Sequence, residues 1–146
     1  MSYENEFMDT SAEPTEKAAV EKFSRKPFQI WEVNNVTYRL RLDTASVCEL
    51  EQKYKTNLMN LMGTGNGGMP ALSVMLDVTY AAMKKYTHGI KKDEINSIFD
   101  DYISEGGSQL SFYTEIYMGI FTASGFFSSS LTGQIEGAMK EAQEVI

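Results

Sequence analysis

His88 and Cys48 are the chain's single histidine and single cysteine, the first places to look for acid–base or nucleophilic chemistry. His88 stands beside Gly89, where a helix is expected to end. Catalysis there would need a nucleophile or a carboxylate partner, and no sequence motif supplies one. The reading is a solvent-facing histidine at a helix C-terminus, where the dipole favours positive charge. Cys48 follows Val47 inside an expected helix and reads as a small buried apolar side chain, not as a reactive thiol. The run GTGNGG, Gly63 to Gly68, has the glycine content of a phosphate cradle. A P-loop also needs a strand before it and a Lys-Ser/Thr pair after it, and both are missing, so the run reads as a linker. Asp100-Asp101 and the glutamates between 136 and 144 lack metal-ligand spacing and a histidine companion, and read as solvated faces. These residues predict no catalytic, cofactor-binding or metal site, and they argue against an enzyme.

The nine methionines and the eight phenylalanines and eight tyrosines are the more informative excess, because Met- and aromatic-rich surfaces accept helical partners. Most of them are expected to fill the core. Phe112 and Met118 lie off the main apolar stripe of their helix, and Phe126-Phe127 sit where it ends. These four are the candidate partner-binding residues, expected to be exposed.

The elements that must position them are organised around Pro70 to Tyr86. Leu72, Met75, Leu76, Thr79, Met83 and Tyr86 recur at helical spacing, and Val74, Val78 and Ala82 widen the stripe. Only Ser73, Asp77 and Lys84 are left as a narrow polar edge, with Ala81 on it. A helix apolar around most of its circumference must be covered on several sides, so it is the expected centre of a small bundle, with Pro70 in its first turn. Upstream, Phe28 to Val33 and Val36 to Leu42 read as strands of a hairpin turning at Asn34-Asn35. That register pairs Val33 with Val36, Trp31 with Tyr38, and Gln29 with Leu40. One face then carries Trp31, Val33, Val36, Tyr38, Leu40 and Leu42.

Asp43 is the expected cap of a helix over about 44–55, followed by a short one over 57–62 and the central one over 70–87. Ile95, Ile98, Phe99, Tyr102 and Ile103 mark a helix over 93–105 ended by Gly106-Gly107. Leu110, Tyr113, Ile116, Tyr117, Ile120 and Phe121 mark another over 109–124, closed near Gly125. Residues 1–24 are acidic and poor in large apolar groups, and are expected to form a mobile tail with at most a short helix from Thr15 to Phe23. Residues 128–146 are expected to be loosely held, with a weak helix at most. The fold class is mainly α, a small helical bundle with an N-terminal β-hairpin (α+β), in one domain over 25–127.

Composition narrows the partners. A formal net charge of −7 disfavours nucleic acid, which needs clustered Lys and Arg. One cysteine permits no intramolecular disulfide, and the acidic N-terminus has no signal-peptide core, so an intracellular, non-membrane protein is expected.

Three stretches, taken in order, carry a resemblance. TYRLRLDTASVCELEQKYKTNLMNLM, then MPALSVMLDVTYAAMKKYTHGIKKDEINSIFDDYISEGGS, then EIYMGIFTASGFF together resemble the tail assembly chaperone family of long-tailed phages (siphophages) and prophages of Gram-positive bacteria. The match runs from Thr37 to Phe127, and its most telling pieces are YRLRL before ELEQKY, HGIK, DDYISEGG and SGFF. The GTGNGG insertion departs from the pattern. The resemblance implies a non-catalytic protein of the host cytoplasm, absent from the mature virion. It would hold the tape measure protein soluble while tail tube protein polymerises around it, several copies to a chain. It also brings in a frameshifted longer form of the protein as a further partner, and the hairpin's uncovered outer edges leave a homo-oligomer open. Two alternatives stay open: a structural head–tail connector or tail terminator of the virion, and a small hydrolase or regulator using His88.

Overall fold

Asn34 and Asn35 adopt φ of 53° and 64°, the two left-handed positions that a tight hairpin turn requires and that asparagine tolerates. They join β1 (Gln29–Val33) to β2 (Val36–Leu40) in an antiparallel pair. The register is the one expected, with Val33 opposite Val36, Trp31 opposite Tyr38 and Gln29 opposite Leu40. The computed structural model describes residues 26–63, 68–127, 137–138 and 140–141. The expectations for 1–24 lie outside the described residues, as do most of those for 128–146. Gly137, Ala138, Lys140 and Glu141 are helical and exposed.

After the hairpin the described chain is helical, so the fold is mainly α with one hairpin. Helix α1 (Thr44–Tyr54) is capped as expected by Asp43, whose carboxylate accepts the Ser46 N–H at 2.9 Å. Its exit uses Lys55 in the left-handed conformation, φ 54°. The expected helix over 57–62 is a single 3-10 turn, Leu58–Leu61, opened by the Asn57 side chain. Central helix α2 spans Leu72–Met83, shorter at both ends than the expected 70–87. Its first acceptor is the Ala71 carbonyl, which takes the Val74 and Met75 N–H groups, so Pro70 stands before the first turn and not in it. At the other end Tyr86 and Thr87 both donate to the Met83 carbonyl, and the chain turns away through Gly89, φ +80°.

Helix α3 (Glu94–Ser104) ends in the glycine pair as expected. Gly106 takes φ +104° and donates to Ile103, while Gly107 reaches back to the Tyr102 carbonyl. The last helical run is not one regular helix. It starts as α4 (Gln109–Ser111), passes through a π turn (Phe112–Tyr117) and finishes as α5 (Met118–Ala123). A π turn holds one more residue than an α turn, so whatever precedes it is rotated by about 100° relative to an uninterrupted helix.

That rotation reassigns the face. Leu110, expected on the buried stripe, is 41% exposed, and Phe112, expected off it, is 0% exposed. Phe112 packs beside Trp31, Phe99 and Tyr102, with ring centroids 5.1, 5.2 and 6.0 Å away. Trp31 also lies 5.7 Å from Tyr102. These rings join the hairpin to α3 and the π turn, and each such contact contributes about 0.5–1.5 kcal/mol beyond its buried area. The Trp31 indole N–H is buried there with no hydrogen-bond partner.

α2 is covered on most sides, with Met75, Val78, Ala82 and Met83 fully buried. Three polar ties hold the layers. Arg41 N–H donates to the Ala82 carbonyl at 3.0 Å, Leu42 N–H to Ser124 Oγ at 2.9 Å, and Tyr117 O–H to the Leu61 carbonyl at 2.5 Å. Two expected core positions are corrected by exposure. Val36 is 47% exposed at the hairpin tip, where no helix reaches it, and Ile103 is 41% exposed in the last turn of α3.

Candidate functional site

Asp77 was expected on the polar edge of α2, yet it is only 7% exposed. Its partners come from both flanking segments. From α1, Lys53 Nζ donates to Oδ2 at 2.5 Å and Tyr54 O–H to the same oxygen at 2.6 Å. From the connection before α3, Lys92 Nζ donates to Oδ1. Burial pushes the Asp77 carboxyl up, but the hydrogen bonds from Lys53, Lys92 and Tyr54 outweigh it and hold the group down at about 2. The Tyr54 phenol is raised in turn, by burial and then by donating to that carboxylate. A carboxylate locked in its ionised form has no proton to give near neutral pH, so this constellation is a clamp across three segments and not an acid–base pair.

His88 stands five residues beyond the end of α2 and is exposed. It lies outside the last turn of that helix, so the helix dipole, which acts only within a turn, does not reach it. It lines an open groove of about 430 Å³ with Tyr38, Glu94, Ser97, Ile98 and Asp101. A histidine, a serine and two carboxylates share this groove with Tyr38, which folding alone brings over from the hairpin. Hydrolysis needs a nucleophile hydrogen-bonded to its base and that base to an orienting group. Among the described residues no hydrogen bond joins His88 to Ser97, Glu94 or Asp101, so that relay is not assembled in this geometry. No group of three or more His, Cys, Asp or Glu among the described residues could hold a metal ion.

Cys48 is exposed, not buried as expected, because its position on α1 faces away from α2 while Leu50 faces in. The run at Gly63 to Gly68 lies largely outside the described residues.

The four candidate partner-binding residues are placed as follows. Phe112 is fully buried, a correction that follows from the π turn. Met118 is half-buried. Phe126 and Phe127 are half-buried against the core, Phe126 with its ring 5.2 Å from Phe121. Among the described residues the large apolar groups that do reach the surface are others: Ile30, Val36, Met59, Ile103 and Leu110, each at least 41% exposed. Ile30 was legible, since strict alternation along β1 sends it to the face opposite Trp31. Leu110 was not, because only the π turn turns it outward. No helix among the described residues is long and apolar enough to cross a membrane. No family model, no curated protein and no solved structure matches the chain.

Proposed function

We propose that this protein is a non-catalytic tail assembly chaperone that binds the tape measure protein, keeps it soluble and helps recruit tail tube subunits before leaving the assembly. The observation that carries the reading is the surface. Among the described residues five large apolar side chains stand at least 41% exposed, on a chain with a formal charge of −7. A holder of unassembled helices needs apolar contacts that cover a client's stripe and a net charge that keeps the loaded complex in solution. The identity of the client rests on the resemblance between Thr37 and Phe127. Met59, with its unbranched side chain, suits a surface that must fit varied partners. Binding must be reversible, because tube protein has to displace the holder, so tuning falls on the off-rate.

Co-expression with a tape measure fragment, followed by size exclusion, tests the reading. Co-elution with a gain in soluble fragment is the expected result; a fragment that stays insoluble and alone overturns it. Mass spectrometry of purified virions separates this function from that of a connector or terminator, because a chaperone is absent from the particle. His88→Ala is expected to leave the solubility gain intact.

A further inference from the structure

We propose that the groove between α3 and the α2–α3 connection docks a basic side chain, an arginine or lysine presented by a partner polypeptide. Glu94 and Asp101 lie seven residues apart on α3, hence on one face and about 10 Å apart along its axis. Ile98 lies between them and Ile90 beside them, giving an apolar floor for a side-chain stem, and Tyr38 of β2 closes one side. Tyr38, Glu94 and Asp101 line the same groove, and burial and then the charges of Asp101 and Glu94 raise the Tyr38 phenol.

Charge complementarity chooses the occupant. The one carboxylate buried among the described residues, Asp77, is neutralised by Lys53 and Lys92, and at the surface Asp43 pairs with Lys85 and Glu49 with Lys84. Among the described residues no lysine or arginine pairs with Glu94 or Asp101, and the Tyr38 and Ser97 hydroxyls make no internal hydrogen bond. Glu94 accepts only the Lys91 N–H, at 2.6 Å through one oxygen. A volume of about 430 Å³ takes one long side chain with its hydration and is too small for a helix. A guanidinium fits best, since its planar donors serve a carboxylate while its face stacks on a tyrosine ring. The inference depends on the proposed function only for who presents that side chain.

The test uses the full chain, 15N-labelled, titrated with N-acetyl-arginine amide, N-acetyl-lysine amide and N-acetyl-norleucine amide. Saturable shifts at Thr87–Ile90 and along 94–101 are expected with the two cationic probes and not with the neutral one. In the Glu94→Gln/Asp101→Asn variant the arginine probe is expected to bind about fivefold more weakly, the sum of two exposed ion pairs. Absence of saturable shifts, equal binding of the norleucine probe, or unchanged affinity in the folded variant each overturns the proposal. If the variant fails to fold, comparing cationic and neutral probes on the unsubstituted protein still decides it. The client arm is separate: a tape measure fragment that co-elutes undiminished with the variant removes the groove from docking and leaves the chaperone reading standing. Probe binding without co-elution does the reverse.

Discussion

Phe112 is the residue whose placement most changes the account of this molecule. Its ring is fully buried against Trp31, Phe99 and Tyr102, joining hairpin, α3 and the π turn in one aromatic contact. Phe112→Ala is expected to cost about 3–5 kcal/mol, because the ring's transfer energy is lost and neighbours anchored in two other elements cannot collapse into the space. Urea denaturation measures it, and a cost below about 1 kcal/mol would mean that the ring lies at the surface after all. The sequence pattern pointed the other way for a definite reason. An α-helical wheel through Ile116, Tyr117, Ile120 and Phe121 puts Tyr113 and Leu110 inside, and only an added residue in the turn brings Phe112 there. Asp77 escaped for a different reason. Its donors lie 24 and 23 residues upstream and 15 downstream, so nothing local to α2 announces that its polar edge is covered.

At the scale of elements, the hairpin was the most legible part. Two adjacent asparagines fix the turn, the turn fixes the register, and the register decides that Trp31, Val33 and Leu40 go inward together. The left-handed glycines at Gly89, Gly106 and Gly125 were legible too, although α2 itself stops at Met83, before Gly89. The π turn was not, because it reflects the fit of a whole run against its neighbours. It can be tested directly. Deleting Thr114 removes one residue from that turn, leaving Phe112, Ile116, Tyr117, Ile120 and Phe121 in ordinary α spacing on the same face. The deletion is expected to keep the fold at a cost under about 1 kcal/mol, far below that of Phe112→Ala. A loss as large as that of Phe112→Ala would show that the added residue is itself needed for packing.

For the whole molecule, the Asp77 clamp sets the response to acid. The carboxyl ionises at about 2 in the folded protein against 3.8 for the ordinary group. Its pKa is depressed by folding, so its contribution is complete above about pH 4 and is lost as pH falls through about 2. Unfolding midpoints measured from neutral pH downward are expected to hold to near pH 4 and then drop. Asp77→Asn should lower the neutral-pH stability by about 1–3 kcal/mol and flatten that acid limb. An unchanged limb would place the acid response in Asp43, which Lys85 and the Ser46 backbone also hold below the usual carboxylate range. The candidate groove was only half legible. Glu94 and Asp101 share a face by spacing alone, but the closing tyrosine belongs to a strand far upstream, and only folding brings it over.

The indole of Trp31 gives the molecule a built-in optical gauge. It is the chain's one tryptophan, 1% exposed, and its N–H meets no polar atom. Its emission is therefore expected to be blue-shifted and shielded from iodide. Any event that prises the hairpin from α3, whether heat, acid or the binding of another molecule, is expected to register as a red shift at a single fluorophore with no label attached.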